Sequence, residues 1–246
     1  MDATLSTSLN RKHSSFRSDT TFSAENSVRH WRVTVADECR YGAEGMASVL
    51  ASVISHKGCM NLCAGPDKAM QLLQHNDCAD NLQCLIIRLP DSPAEAILWL
   101  LHIAREFENV RACQRLVLLT ACEPDVVTSV ARVIGIPVSV VIGDHMPLSG
   151  ISRIFSSLLY DTGDCSCAGR IVESPELTPQ ERVLLTGILT GASVLSQASE
   201  LGCGINTVYL RRKAIFQKFG VKGVLSLLRH LSPAPRRPQF NFRGGR

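Results

Sequence analysis

The chain has 246 residues, 45% of them hydrophobic, enough for a sizeable core in one or two domains. Its longest apolar runs, "AILWLLHIA" and "VIGIPVSVVIG", fall well short of the ~18 residues of a membrane span, and the N-terminus has no apolar signal region. The net charge of +4 is unevenly spread: residues 1–175 carry 15 Lys/Arg against 19 Asp/Glu, residues 176–232 seven against three, and residues 233–246 four arginines and no acid. The positive excess therefore sits in the C-terminal third, the electrostatic footprint of a domain that meets nucleic acid.

In chain order, residues 1–29 are Ser/Thr-rich without periodicity and read as a disordered leader. From residue 30 to 160, short β-branched runs alternate with amphipathic segments. "WRVTVAD" reads as a strand and "GAEGMASVLASVISHKG" as a helix ended by Gly58. A weak strand lies around Met60–Ala64, followed by the helix "DKAMQLLQHN" and the strand "LQCLIIRL". "SPAEAILWLLHIAREF" is a helix opened by Ser92 and Pro93. "QRLVLLTA", "PDVVTSVARVIG", "PVSVVIG" and "SGISRIFSSLLY" continue the alternation as strand, helix, strand and helix. This order implies βα units around a parallel sheet covered on both faces.

Residues 161–175 read as a linker, and residues 176–232 as all-helical. Thr178, Pro179 and Glu181 form a capping-box signature, with Gly191 as the stop. A short helix follows from Ser193 to Gly202, then the basic helix "NTVYLRRKAIFQKFGV", then "GVLSLLRHLS". Residues 233–246 read as a basic disordered tail. The ten cysteines, without an export signal, read as reduced and mostly buried thiols in the cytosol. Cys165 and Cys167 have no second pair at zinc-ligand spacing, so no metal is expected. No nucleophile–base pair or glycine-rich phosphate loop appears, so neither enzymatic chemistry nor a cofactor is expected.

On a wheel at about 100° per residue, Val208, Ile215 and Phe219 share one face of the basic helix, with Phe216 on its flank. Asn206, Tyr209, Lys213 and Gln217 cluster opposite, with Leu210 at the edge of that cluster. Amide, phenol and ammonium groups offer hydrogen bonds to base edges, and Arg211 and Arg212 on the flanks have stems long enough to reach phosphates. Two short helices joined through "ELGCGIN" make this a helix-turn-helix.

Residues 177–221 resemble the LuxR/FixJ-type DNA-binding domain through "LTPQE", Gly191, "LG" at 201–202, Thr207, Val208 and "KFGV" at 218–221. The continuation "VLSLLRHLSP" looks most like the Rcs subgroup of enterobacterial regulators. The resemblance implies a four-helix module whose third helix enters the major groove, with Tyr209, Leu210 and Lys213 facing bases and the fourth helix serving dimerisation. This chain departs from that pattern. An aromatic Tyr209 stands where the family has a basic residue, and Gly204 replaces the usual helix-starting Ser/Thr. Gln197 replaces a core Ile, which predicts a loosened second helix.

A βα-alternating domain ahead of such a module resembles the receiver of a response regulator, implying a flavodoxin-like, five-stranded parallel α/β domain followed by the all-α helix-turn-helix domain. The resemblance places Asp37 and Glu38 at the acidic pair after the first strand and Thr120 at the hydroxyl position. Arg88 stands where the phosphoryl acceptor belongs and Gly143 where the lysine belongs. A guanidinium cannot accept a phosphoryl group, and beside Asp37 and Glu38 it would take the metal's electrostatic role in an ion pair. In a shifted register Asp91 would be the acceptor, but it follows Pro90 beyond the strand end. The expected function is a cytoplasmic, nucleoid-associated transcriptional regulator that binds promoter DNA without a phosphorylation switch, as a homodimer or a heterodimer with an Rcs-type response regulator, away from membranes. The alternative is a protein that sequesters a partner regulator without binding DNA.

Overall fold

The computed structural model describes residues 31–54, 58–74, 82–107, 113–160 and 176–232. The expected leader, linker and tail, with Cys165 and Cys167, lie outside the described residues. The first half alternates β1 (Trp31–Ala36), α1 (Arg40–Ala51), β2 (Cys59–Cys63), α2 (Pro66–Gln74), β3 (Leu82–Arg88), α3 (Pro93–Phe107), β4 (Cys113–Thr120), α4 (Pro124–Ile134), β5 (Val140–Gly143) and α5 (Leu148–Tyr160). All four strand pairings are parallel, in the order β2-β1-β3-β4-β5. That is the doubly wound order of a flavodoxin-like, receiver-like domain, in which the chain reverses direction between β1 and β3. The weakly signalled β2 is real, paired to β1 from Cys59 opposite Arg32 to Cys63 opposite Ala36.

The central strand β3 is apolar on both faces, with Cys84, Leu85, Ile86 and Ile87 fully buried, as a strand covered by helices on each side requires. Val33, Val35, Cys84, Ile86 and Phe155 pack on one side of the sheet. Ala36, Leu85, Ile87, Ile97, Leu100 and Ile134 pack on the other. Helix α1 stops at Ala51 rather than running to Gly58. Its apolar periodicity continues, but Val53 and Ile54 leave the helix in a turn and pack against the first of these layers. Burial pushes the Cys113 thiol up to about 11, and that of Cys84 higher still.

The second half folds as α6 (Pro179–Leu189), α7 (Val194–Glu200), α8 (Ile205–Lys218) and α9 (Val224–His230). The capping box forms: Thr178 Oγ1 accepts from the Glu181 amide at 3.3 Å, and the Thr178 amide donates to Glu181 Oε2 at 2.8 Å. Ser193 caps α7 by accepting from the Ser196 amide at 3.1 Å. These helices share an apolar layer with α3 and α4, so Leu184, Leu185, Val208, Ile215 and Leu227 continue the core of the sheet's second face. Two polar contacts close the seam. The Leu177 amide donates to Val133 O at 2.7 Å, and Cys122 Sγ donates to Leu231 O at 2.7 Å. Gly135 ends α4 with φ 88°, a left-handed conformation suited to glycine, and a Cβ there would meet Arg182 Nη2 at 2.7 Å.

Glu181 is also tied to the far end of α8 by Lys218 Nζ at 2.6 Å. Burial works to raise its pKa, but hydrogen bonds from Lys218 and Thr178 outweigh that and hold the carboxyl below its ordinary 4.5. A carboxylate whose pKa is depressed by folding stabilises the protein above its unfolded pKa and loses that contribution as pH falls through the folded value. Thermal denaturation should therefore show a decline in stability below pH 4.5 that is shallower in Glu181→Gln; identical pH profiles would remove the pair from the stability account.

Candidate functional site

Helix α7, a turn through Gly202 (φ 58°) and helix α8 build the helix-turn-helix. Gly204 occupies the N-cap of α8 in an extended conformation, without a side-chain bond, and the Thr207 and Val208 amides donate to its carbonyl. Val208 and Ile215 are fully buried and Phe216 nearly so, which fixes the inward face of α8. Asn206, Thr207, Tyr209, Leu210, Lys213 and Gln217 are all exposed, while Arg211 is half-buried on a flank. Leu210, expected at the edge of the outward cluster, is exposed with it. It is two residues, or about 200°, from Val208.

Arg212 has a different placement from the expected phosphate-reaching one. Its Nε donates to Gln197 Oε1 at 2.9 Å, and its Nη2 donates to the same oxygen and to Ala192 O at 3.3 Å. Gln197 is 1% exposed, and its Nε2 donates to Leu184 O at 3.0 Å. The expectation of a loosened second helix is thus corrected: a buried amide joins α6, α7 and α8, with both of its polar ends bonded. Room for it comes from Gly187, where a Cβ would meet Gln197 Nε2 at 2.4 Å. A Gln in a core position together with a small residue on the preceding helix was the available sequence signal.

The residues expected at a degenerate acceptor site also come together, at the C-terminal edge of the sheet where doubly wound folds place ligands. Asp37 follows β1, Arg88 ends β3, Thr120 ends β4 and Gly143 ends β5. The expected pairing of Arg88 with Asp37 and Glu38 does not form. Arg88 Nη2 instead pairs with Asp144 Oδ2 at 2.8 Å, across the ends of β3 and β5. Asp37 is 5% exposed, accepts from the Cys39 amide at 2.8 Å, and fills the space above Gly42, where a Cβ would meet its Oδ2 at 2.3 Å. Glu38 points to solvent.

Thr120 is buried and its Oγ1 accepts from the Cys122 amide at 3.0 Å. At Gly143 a Cβ would lie 3.3 Å from Pro124 Cγ, so the first residue of α4 covers the place expected for lysine. Asp91 is exposed beyond the end of β3. Among the described residues, no group of three His, Cys, Asp or Glu could hold a metal, and no helix is long and apolar enough to cross a membrane.

No protein-family model matches the chain, and no curated protein matches it. It is similar to solved response regulators over more than four fifths of its length. RcsB from Salmonella enterica serovar Typhimurium, solved bound to promoter rprA, has 19% identity and a TM-score of 0.43, with 82% of this chain and 98% of that chain covered. Full-length FixJ from B. japonicum has 14% identity and a TM-score of 0.39, covering 81% of this chain and 94% of that one.

The contacts of Arg212 separate holding from binding. Arg212→Ala leaves Gln197 Oε1 buried without its donors and should destabilise the helical unit by roughly 1–3 kcal/mol in chemical denaturation. Unchanged stability, together with a shallower salt dependence of DNA binding, would instead return Arg212 to the phosphates.

Proposed function

We propose that the protein is a cytoplasmic, nucleoid-associated transcriptional regulator that binds double-stranded promoter DNA sequence-specifically through α8, with a receiver-like domain that works without phosphorylation. The observation that carries this reading is the outward face of α8. Asn206, Thr207, Tyr209, Leu210, Lys213 and Gln217 stand free, on a helix whose other side is locked into the core. Arg211 on the flank and the positive excess of residues 176–246 supply phosphate attraction. The division into a receiver-like domain over 30–160 and a DNA-binding domain over 176–232 is part of the proposal.

Phosphorylation independence is supported by chemistry at the sheet edge. A guanidinium stands where the resemblance places the acceptor, and the neighbouring carboxylate, Asp144, is paired to that guanidinium. Asp37, Glu38, Thr120 and Gly143 are the remainder of a site that lacks its acceptor and its lysine. Activity is then set by abundance, by a ligand or by pairing, as a homodimer or with an Rcs-type response regulator. The sequestering alternative drew on a loosened α7 and on the aromatic Tyr209; the bonded Gln197 removes the first of these supports.

Two measurements test the reading. Incubation with acetyl phosphate and Mg²⁺ should leave the intact mass unchanged; a stoichiometric phosphoryl adduct on Asp91 or another carboxylate would restore a conventional switch. In an electrophoretic shift with purified full-length protein, alone and with an Rcs-type regulator, a retarded duplex is expected. Failure to shift DNA under both conditions, combined with displacement of the partner from its own DNA, would make sequestration the function.

A further inference from the structure

Helix α3 turns Leu98, Leu101, His102 and Arg105 toward the helical unit, a single stripe at helical spacing. Helix α6 faces it with Pro179, Val183, Thr186 and Thr190, again one stripe. The two helices touch, and Leu184 and Leu185 join the buried layer with α3, yet a cleft of about 690 Å³ stays open between the stripes. Its α6 wall is held from behind. Gln197 Nε2 occupies the place a Cβ of Gly187 would take, and the Ala192 carbonyl accepts from Arg212 Nη2 at 3.3 Å. A preformed cleft of this size, apolar with a few polar groups, is the usual form of a small-molecule site.

The polar groups divide by wall. Of the five N–H groups of Arg105, one goes to Glu106 Oε1 and one to His102 Nδ1, each at 3.1 Å, which leaves three without a partner among the described residues. On the opposite wall, the Thr186 and Thr190 hydroxyls already donate to Arg182 O and Thr186 O, each at 3.0 Å, so their oxygens are left to accept. Exposed Glu200, at the α7 margin of the cleft, has no polar partner among the described residues. Arg182 turns away, its Nη2 lying 2.7 Å from the place of a Cβ on Gly135 at the end of α4. We infer that the cleft binds a short peptide with free ends. Its ammonium meets Glu200 and the threonine oxygens, its carboxylate meets Arg105, and its apolar side chains lie on Leu98, Leu101 and Val183. A simple anion would face Glu200, a simple cation would face Arg105, and a neutral apolar ligand would strip water from both. The α3 stripe is about 10 Å long, the span of roughly three extended residues. An occupant that touches both walls favours the arrangement in which the helical unit is docked on α3. This deepens the proposed function, on which its regulatory meaning rests, by naming a ligand class for a receiver-like domain without a phosphorylation switch.

The test is calorimetric titration of the full-length protein with tripeptides that carry leucine, valine or phenylalanine between two alanines. Binding at a single site is expected. Acetylating the amino end or amidating the carboxyl end should each weaken it about tenfold, the worth of one charge-assisted hydrogen bond. Glu200→Gln should lose the penalty for acetylation, and Arg105→Gln the penalty for amidation; both side chains are exposed, so neither change disturbs the core. Val183→Trp fills the cleft from an exposed position and should abolish binding with an unchanged circular dichroism spectrum. The inference is overturned if no tripeptide binds at about 1 mM, if free and blocked ends bind alike, or if Val183→Trp binds as wild type does. Retardation of a duplex enriched from a random-sequence pool, measured on the same protein, reports separately. DNA bound without any tripeptide ends this inference and leaves the proposed function standing, whereas tripeptide bound without DNA does the reverse.

Discussion

The buried amide of Gln197 sets the geometry on which the placement of α8 depends. A polar group with 1% exposure is tolerable only with its partners in place. Those partners lie on different helices: Leu184 O on α6 accepts from its amide nitrogen, and Arg212 on α8 donates to its oxygen. A shift of α8 along α7 would break charge-assisted hydrogen bonds in a low-dielectric surrounding, whereas an apolar contact at the same place would slide at little cost. The consequence reaches the surface. With Arg212 drawn inward and Val208 and Ile215 buried beside it, the opposite side of α8 is held in one orientation.

A different economy of charge governs the sheet edge. Four strand ends converge there and bring Asp37, Arg88, Thr120 and Asp144 into one neighbourhood. In a site built for phosphoryl transfer, clustered carboxylates need a divalent cation. Arg88 satisfies Asp144, and Asp37 turns toward the start of α1, where the Cys39 amide meets it. The loop after β4 is then tied by Thr120 to its own backbone and by Cys122 to Leu231 at the end of α9. These contacts make the edge a structural joint between the sheet and the last helix.

Much of this was legible because local chemistry set it. Thr178 and Glu181 announce the start of α6 three residues apart, and the β-branched, all-apolar run of β3 announces a strand covered on both faces. The end of α1 was not legible, because Val53 and Ile54 continue a helical pattern while packing from a turn. Partner choice was the larger gap. Arg88 and Asp144 are 56 residues apart, and the sequence offered the nearer-seeming Asp37 and Glu38 instead. Gln197 looked like a defect because its bond to Arg212 depends on how two helices cross, which no periodicity reports.

Under the proposed function, α8 is the element that meets DNA while the rest of the helical unit holds it in place. Hydrogen exchange of the full-length protein, with and without an enriched duplex, tests this most directly. Added protection should concentrate in α7, the turn through Gly202 and the first turns of α8, with α1 to α5 unchanged. Protection confined to α9 or to the sheet, with α8 exchanging as in the free protein, would contradict it.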